Sequence, residues 1–300
     1  MRLLVTGAWR YTQTHLDQLR DLGHTVVEMP DERGALPCPP KDVEGVICNG
    51  LFLYHSIEAF SSLRYVQLTS AGYDRMPMEY AAEHGIAVYN ARGVYSLPMA
   101  EYALWGVLSI YKEGCFFARN QAECRWEKHR GLRELWGKRV TVVGCGSIGT
   151  ACASRFSAMG CPVTGVDLFP KATDPYKVVY PVEFLGDVLP QTDILVLTLP
   201  LTDATHYLIG EQALASLPNG AVVVNISRGG VMDTKALTSA LTQRELYAVL
   251  DVFEEEPLPA EHPLWTLPNV ILTPHNSFVG EGNGARMTEV VLENLKGQEY

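Results

Sequence analysis

The chain has 300 residues, 47% hydrophobic and 19% charged, with a formal net charge of −10. That balance excludes a disordered or fibrous chain, and the length suits two domains rather than one core. An acidic chain repels phosphate backbones and anionic lipid, so neither nucleic acid nor a membrane surface is an expected partner.

The first hundred residues alternate short apolar runs with helical patterns. Strands are expected at Leu3–Thr6, Thr25–Glu28, Gly45–Cys48, Tyr65–Leu68 and Ile86–Tyr89, with helices at Thr12–Leu22, Ile57–Ser62 and Met78–His84. Such alternation reads as a parallel sheet covered on both faces. Pro30–Pro40 holds four prolines and reads as a surface loop without an assigned role. Pro98 to Gly114 is a long apolar stretch, with a proline suited to a helix start and a glycine suited to its end. A helix this apolar must be covered on several sides, at a domain boundary or a subunit interface.

From Arg139 the alternation restarts. Six strands are expected, at Arg139–Val143, Val163–Asp167, Ile194–Thr198, Ala221–Ile226, Ala248–Val252 and Val270–Thr273. Helices are expected at Ile148–Ala158, Glu183–Leu189, Glu211–Ser216, Thr234–Gln243 and Glu281–Leu295. The pattern is α/β, a doubly wound sheet. The seven cysteines are odd in number and form no CxxC pair. That argues against a disulfide framework and against a structural metal site, and it fits a reducing compartment. The N-terminus lacks the pattern of a signal peptide, and no window of about 18 apolar residues occurs. The expected location is therefore cytoplasmic.

Residues 139–149 read RVTVVGCGSIG, so that Gly144, Gly146 and Gly149 form G-x-G-x-x-G between a β-branched strand and a helix. Gly144 permits the tight turn, Gly146 lets the backbone approach a pyrophosphate, and Gly149 lets helix and strand pack closely. The helix N-terminus that follows supplies free N–H groups and a positive dipole end. Asp167 ends the next strand, 18 residues after Gly149. An acid there accepts from the adenosine ribose hydroxyls and repels a 2′-phosphate. Leu168 and Phe169 add no cation, although Lys171 is nearby, so NAD is expected over NADP.

Three later segments place polar groups just after strands: NISRGGVMD with Arg228, LDVFEEEP with Asp251 and Glu256, and ILTPHNSF with His275. In doubly wound folds ligands bind at the carboxyl ends of strands. Arginine grips a carboxylate with two parallel hydrogen bonds. Histidine exchanges a proton near neutral pH, and a glutamate beside it favours the imidazolium and sets its tautomer. Reduction of a 2-keto acid needs these parts, while a nicotinamide carries the hydride.

This ordered set resembles the D-isomer-specific 2-hydroxyacid dehydrogenases. The resemblance runs from about Ser70 onward through SAGYD at 70–74, GIAVYN at 85–90, MAE at 99–101, ELWGKRV at 134–140, the glycine turn, LPLTDAT at 199–205 and the three later segments. It implies two doubly wound parallel-sheet domains with a cleft between them. One is a Rossmann NAD-binding domain at residues 99–280. The other is a flavodoxin-like substrate domain at 1–98 plus 281–300. It further implies that Arg228 binds the substrate carboxylate, that His275 is the acid/base, and that Glu256 pairs with it. Asp251 would meet the nicotinamide carboxamide. Gly144, Gly146, Ser147, Ile148, Gly149, Asp167, Pro200, Thr205, Ile226, Ser227, Arg228, His275 and Ser277 would line the cofactor, and Ala71 and Gly72 would donate N–H groups to the substrate. Members are usually homodimers paired through the cofactor domain.

Arg92, in NARG, stands where the family more often has a proline or small residue; an anionic substrate and a surface ion pair are both open as its partner. The chain ends at Tyr300, sooner than many members, which puts C-terminal closure contacts in question. Val43–Phe60 contains no Lys or Arg, and Leu51–Tyr54 is apolar. That favours a small, non-phosphorylated D-2-hydroxy acid, unless these side chains are core. A formate dehydrogenase would carry glutamine in place of Glu256. An NAD(H)-sensing corepressor-like protein, a phosphite-type oxidation and a phosphoglycerate/hydroxypyruvate-type dehydrogenase stay open as alternatives.

Overall fold

A computed structural model describes residues 1–171 and 173–297; Tyr300 lies outside the described residues. The chain divides into two compact units, Met1–Tyr95 with Gly280–Tyr300, and Ser96–Val279.

The first unit runs β1 (Arg2–Thr6), α1 (Gln13–Asp21), β2 (Thr25–Met29), β3 (Gly45–Cys48), β4 (Tyr65–Leu68), α2 (Met78–Glu83) and β5 (Ala87–Tyr89). Its five strands are parallel in the order β2-β1-β3-β4-β5. Successive side chains of a strand point to opposite faces. Leu4, Val46, Cys48, Val66 and Leu68 accordingly pack on one side, with Phe60 and Ile86. Leu3, Val5, Ile47 and Tyr65 pack on the other, with Leu16 and Leu19 of α1 and with Met287, Val291 and Leu295. The expected helix at Ile57–Ser62 is only a 3-10 turn, Ile57–Ala59. Ile57 and Phe60 are both buried, and the intervening chain is too short for more than one turn between two core anchors.

The second unit runs α3 (Ser96–Tyr111), α4 (Gly114–Ala122), β6 (Val140–Val143), α5 (Ser147–Ala158), β7 (Val163–Asp167), β8 (Val178–Pro181), α6 (Leu185–Val188), β9 (Ile194–Leu197), α7 (Glu211–Ser216), β10 (Ala221–Asn225), α8 (Thr234–Gln243), β11 (Leu246–Leu250) and β12 (Val270–Leu272). The chain then returns to the first unit as α9 (Asn283–Lys296), where Asn294 donates from Nδ2 to the buried Gln67 at 2.7 Å.

The second sheet has seven parallel strands, in the order β12-β11-β10-β9-β6-β7-β8. The additional strand, β8, is the edge strand. Two of its four residues are exposed, none is fully buried, and it ends at a proline, as suits an edge strand. Gly114 begins α4 instead of ending α3, and Glu113 takes the left-handed turn between them (φ 54°). The expected helix at 183–189 is broken into 3-10 turns around α6. β11 closes at Leu250 rather than Val252, which leaves Asp251 just past the strand. Leu195, Leu197, Val223, Ala248 and Leu250 form a core with Leu214, Leu237 and Leu241. On the opposite face α3 lies close to β11: a Cβ added to Gly106 would sit 2.5 Å from the Val249 side chain. No helix among the described residues is long and apolar enough to cross a membrane.

Candidate active site

All seven strands of the second sheet are parallel, so the loops after β6, β9, β10, β11 and β12 leave from one edge. The glycine turn, Pro200, Arg228, Asp251, Glu256 and His275 all follow these strand ends. The chain reverses its direction of travel across the sheet between β6 and β9, the switch point where such sheets receive ligands.

The glycine turn leads directly from β6 into α5. Gly144 adopts φ 95°, and a Cβ on it would lie 2.7 Å from the Leu199 nitrogen. A Cβ on Gly149 would lie 2.0 Å from the Gly144 oxygen. That oxygen also accepts from the Thr198 hydroxyl at 2.6 Å. Gly146 is different. It is exposed, and a Cβ there would meet nothing within 4 Å. The N–H groups of Ser147 and Ile148 have no acceptor among the described residues. Open space in front of two free donors at a helix start fits a pyrophosphate. Asp167 ends β7 and accepts from the N–H groups of Cys145 (2.6 Å) and Phe169 (2.8 Å). A carboxylate retains lone pairs for further donors, so these bonds leave it able to meet ribose hydroxyls.

Arg228 follows β10 and is half-buried, with Nη1 donating to the Ser227 oxygen at 2.8 Å. Its loop is fastened by Asn225, fully buried at the end of β10. The Asn225 amide donates to the Arg228 oxygen (3.1 Å), and its oxygen accepts from Ser227 N–H (3.1 Å) and Oγ (2.9 Å). Gly229 explains the approach of the next loop: a Cβ there would fall 1.9 Å from the Phe253 carbonyl carbon. Ile226 is buried.

Glu256 and His275 meet directly. His275 Nδ1 lies 2.8 Å from Glu256 Oε2, while Glu256 Oε1 accepts from the Phe253 N–H at 3.0 Å. A carboxylate partner makes Nδ1 the N–H-bearing nitrogen and leaves Nε2 as the ring atom for proton exchange. His275 adopts φ 49°, a left-handed conformation uncommon for a residue with a Cβ. Asp251 over-determines it. This fully buried carboxylate accepts from the Thr273 hydroxyl (2.5 Å), Asn276 N–H (2.7 Å) and Ser277 N–H (2.8 Å), and the Asp251 carbonyl accepts from His275 N–H (2.8 Å). The Tyr102 hydroxyl of α3 adds to this network through Thr273, and burial pushes its pKa up to about 12.

The other expected positions are more varied. Thr205 is fully buried, and its hydroxyl donates to the Pro200 oxygen at 2.7 Å, which closes the loop after β9. Ser277 is also buried. In the first unit the Asn90 amide donates to the Ala71 oxygen (2.6 Å) and Ser70 Oγ to the Gly72 oxygen (2.8 Å). The N–H groups of Ala71 and Gly72 have no acceptor among the described residues. Arg92 is exposed, with its N–H held by Asn90 Oδ1 at 3.2 Å. Asn225, Thr273 and Tyr102 were not anticipated. A polar residue closing an apolar strand was a usable signal for the first; the other two carried none.

Residues 104–277 match the family model described as D-isomer specific 2-hydroxyacid dehydrogenase, NAD binding domain. A glyoxylate reductase of Korarchaeum cryptofilum is 34% identical over 246 residues, 79% of this chain and 74% of that protein. D-3-phosphoglycerate dehydrogenase of Methanocaldococcus jannaschii is 34% identical over 244 residues, 80% of this chain; this chain spans only 46% of that protein. Among solved structures, an NADPH-dependent glyoxylate/hydroxypyruvate reductase of Sinorhizobium meliloti superposes with a TM-score of 0.80 at 27% identity. That match covers 98% of this chain and 93% of the other.

Proposed function

Because the chain belongs to the D-isomer-specific 2-hydroxyacid dehydrogenase family, an NAD(P)-dependent oxidoreductase family, we propose that it interconverts a small, non-phosphorylated D-2-hydroxy acid and its 2-keto acid with NAD(H). The observation that carries this reading is the Glu256–His275 pair, held at the same sheet edge as the open glycine turn. Relatives named glyoxylate reductase support a small keto acid as substrate.

In this reading Arg228 grips the substrate carboxylate and polarises the neighbouring carbonyl. Ala71 and Gly72 offer that carboxylate their N–H groups. His275 holds the proton that the carbonyl oxygen receives on reduction, and Glu256 stabilises the imidazolium that donates it. Bound nicotinamide supplies or receives the hydride. Gly146, Ser147 and Ile148 hold the pyrophosphate. Pro200, Thr205, Ile226 and Ser277 border the cofactor, and Asp251 fixes the loop that carries His275. Asp167 selects NAD, since Leu168 and Phe169 beside it bring no positive charge for a 2′-phosphate.

The seven cysteines are all free, which suits the cytoplasm. Exposed Leu97 and Trp105 on α3 support a homodimer paired through the second unit.

The test is loss of NADH absorbance against glyoxylate, pyruvate, hydroxypyruvate, phenylpyruvate, 2-ketoisocaproate and phosphohydroxypyruvate, with NADPH in parallel. Turnover of an uncharged-side-chain acid with NADH is the expected result. Preference for phosphohydroxypyruvate, or for NADPH, would overturn the finer assignments.

A further inference from the structure

Helix α3 seats on β11 at Gly106, where a Cβ would fall 2.5 Å from the Val249 side chain. Residues four apart share a face of a helix, and residues two apart share a face of a strand. Tyr102 therefore lies on the Gly106 face of α3, one turn earlier, and Asp251 continues the Val249 face just past the end of β11. β12 pairs with β11 in a register that sets Leu272 beside Leu250, so Thr273 follows beside Asp251. Tyr102, Thr273 and Asp251 meet there, brought from three parts of the chain.

The direction of each bond is forced. Asp251 Oδ1 accepts from the Asn276 N–H and Oδ2 from the Ser277 N–H, the partners of an ionised carboxylate, which only accepts. The Thr273 hydroxyl thus gives its one proton to Asp251 Oδ1, at 2.5 Å. The Tyr102 hydroxyl, bonded to the same Thr273 oxygen, must be the donor to it. Burial, and then the Asp251 charge, push the Tyr102 phenol up to about 12, so it stays a donor at working pH. Its ring is tilted against that of Trp105, one turn further along α3, with centroids 5.2 Å apart.

Asp251 is fully buried, and every donor to its carboxylate named above is uncharged. Such an ion is kept by the number and geometry of its hydrogen bonds. Its own carbonyl accepts from the His275 N–H at 2.8 Å, in the turn where His275 adopts φ 49°. We propose that Tyr102 is a positioning residue: its donation to Thr273 fixes the Thr273 proton on Asp251, and so holds the turn that places the His275 ring. This rests on the reading of His275 as the acid/base. Helix α3 thereby steadies a backbone conformation that costs energy for a residue with a Cβ.

Tyr102→Phe, Thr273→Val and the double variant form a cycle, read in the full chain by melting and by turnover of the best keto acid of the panel at saturating NADH. Tyr102→Phe is expected to lower Tm by about 3 °C and kcat about tenfold, with NADH affinity, read by fluorescence, much less affected. Thr273→Val removes a donor from a buried carboxylate and orphans the phenol, so it should cost more in both. On that background Tyr102→Phe should lower neither further and should recover part of Tm, because the orphaned hydroxyl goes with it. Thr273→Ser keeps the hydroxyl and should retain most of kcat. A misplaced acid slows the proton step itself, so the solvent isotope effect on kcat should rise in Tyr102→Phe, whereas a fraction of unfolded protein would leave it unchanged. That readout needs only Tyr102→Phe and decides the matter if Thr273→Val fails to fold. Additive losses in the cycle, or a folded Tyr102→Phe with an unchanged isotope effect, overturn the proposal. An unimpaired His275→Gln defeats the acid/base reading and the positioning role with it; an impaired His275→Gln beside an unimpaired Tyr102→Phe defeats the positioning role alone.

Discussion

In the second unit Asp251 takes the N–H groups of Asn276 and Ser277; in the first, Glu32 takes those of Asn49 and Gly50. Both are internal carboxylates seated where strands end and loops begin. They differ in origin. Asp251 follows its own strand and is fully buried, whereas Glu32 arrives from a loop and is only half-buried. The glycine turn after β6 is treated differently again. Its Cys145 N–H is taken by Asp167, but Ser147 and Ile148 keep theirs open. The chain supplies its own anion where it fastens a loop, and it leaves two donors open at the turn proposed above for a pyrophosphate.

The comparison separates residues that act on the reaction from residues that hold loops. The largest effect belongs to His275→Gln. Loss of the proposed acid/base should lower kcat by about 10² to 10⁴, while NADH binding, followed by its fluorescence, persists. A variant with near-normal kcat would remove His275 from the proton step.

Gly229→Ala should come next. The added Cβ would lie 1.9 Å from the Phe253 carbonyl carbon, so the Arg228 and Glu256 loops must part. The expected cost is about 1–3 kcal/mol, with kcat down by up to about 10² through misplacement alone. Unchanged melting and rate would show that the two loops move independently.

The smallest effect concerns the opposite edge of the same sheet. Burial alone would raise the Asp193 carboxyl, but the Arg139 guanidinium and N–H, at 2.8–3.0 Å, hold it below the usual carboxylate range. A folded pKa below the unfolded one gives stability that is present at neutral pH and lost as pH falls past the ordinary carboxylate range and through the folded value. Partial solvent screening limits this to under about 1 kcal/mol. Asp193→Asn should flatten the acid side of a stability–pH curve and leave kcat at neutral pH alone. A shift in kcat would contradict a purely structural pair at that edge.

Sequence periodicity and glycine spacing placed most strands within two residues. They also placed the glycine turn, Arg228, Asp251, Glu256 and His275 at strand ends, because burial and tight turns write local patterns into a chain. β8 escaped because an edge strand needs no apolar run on both faces. The short helix at Ile57 was overestimated for the converse reason: an apolar pattern recorded burial without enough chain to make a helix.

What only the tertiary structure decided is which distant group closes each loop. Tyr102 and Thr273 are 171 residues apart, and Glu32 reaches Asn49 across 17. No local pattern encodes such partners. A hydrogen bond needs two groups at one place, and for distant segments that place is set by strand order in the folded sheet.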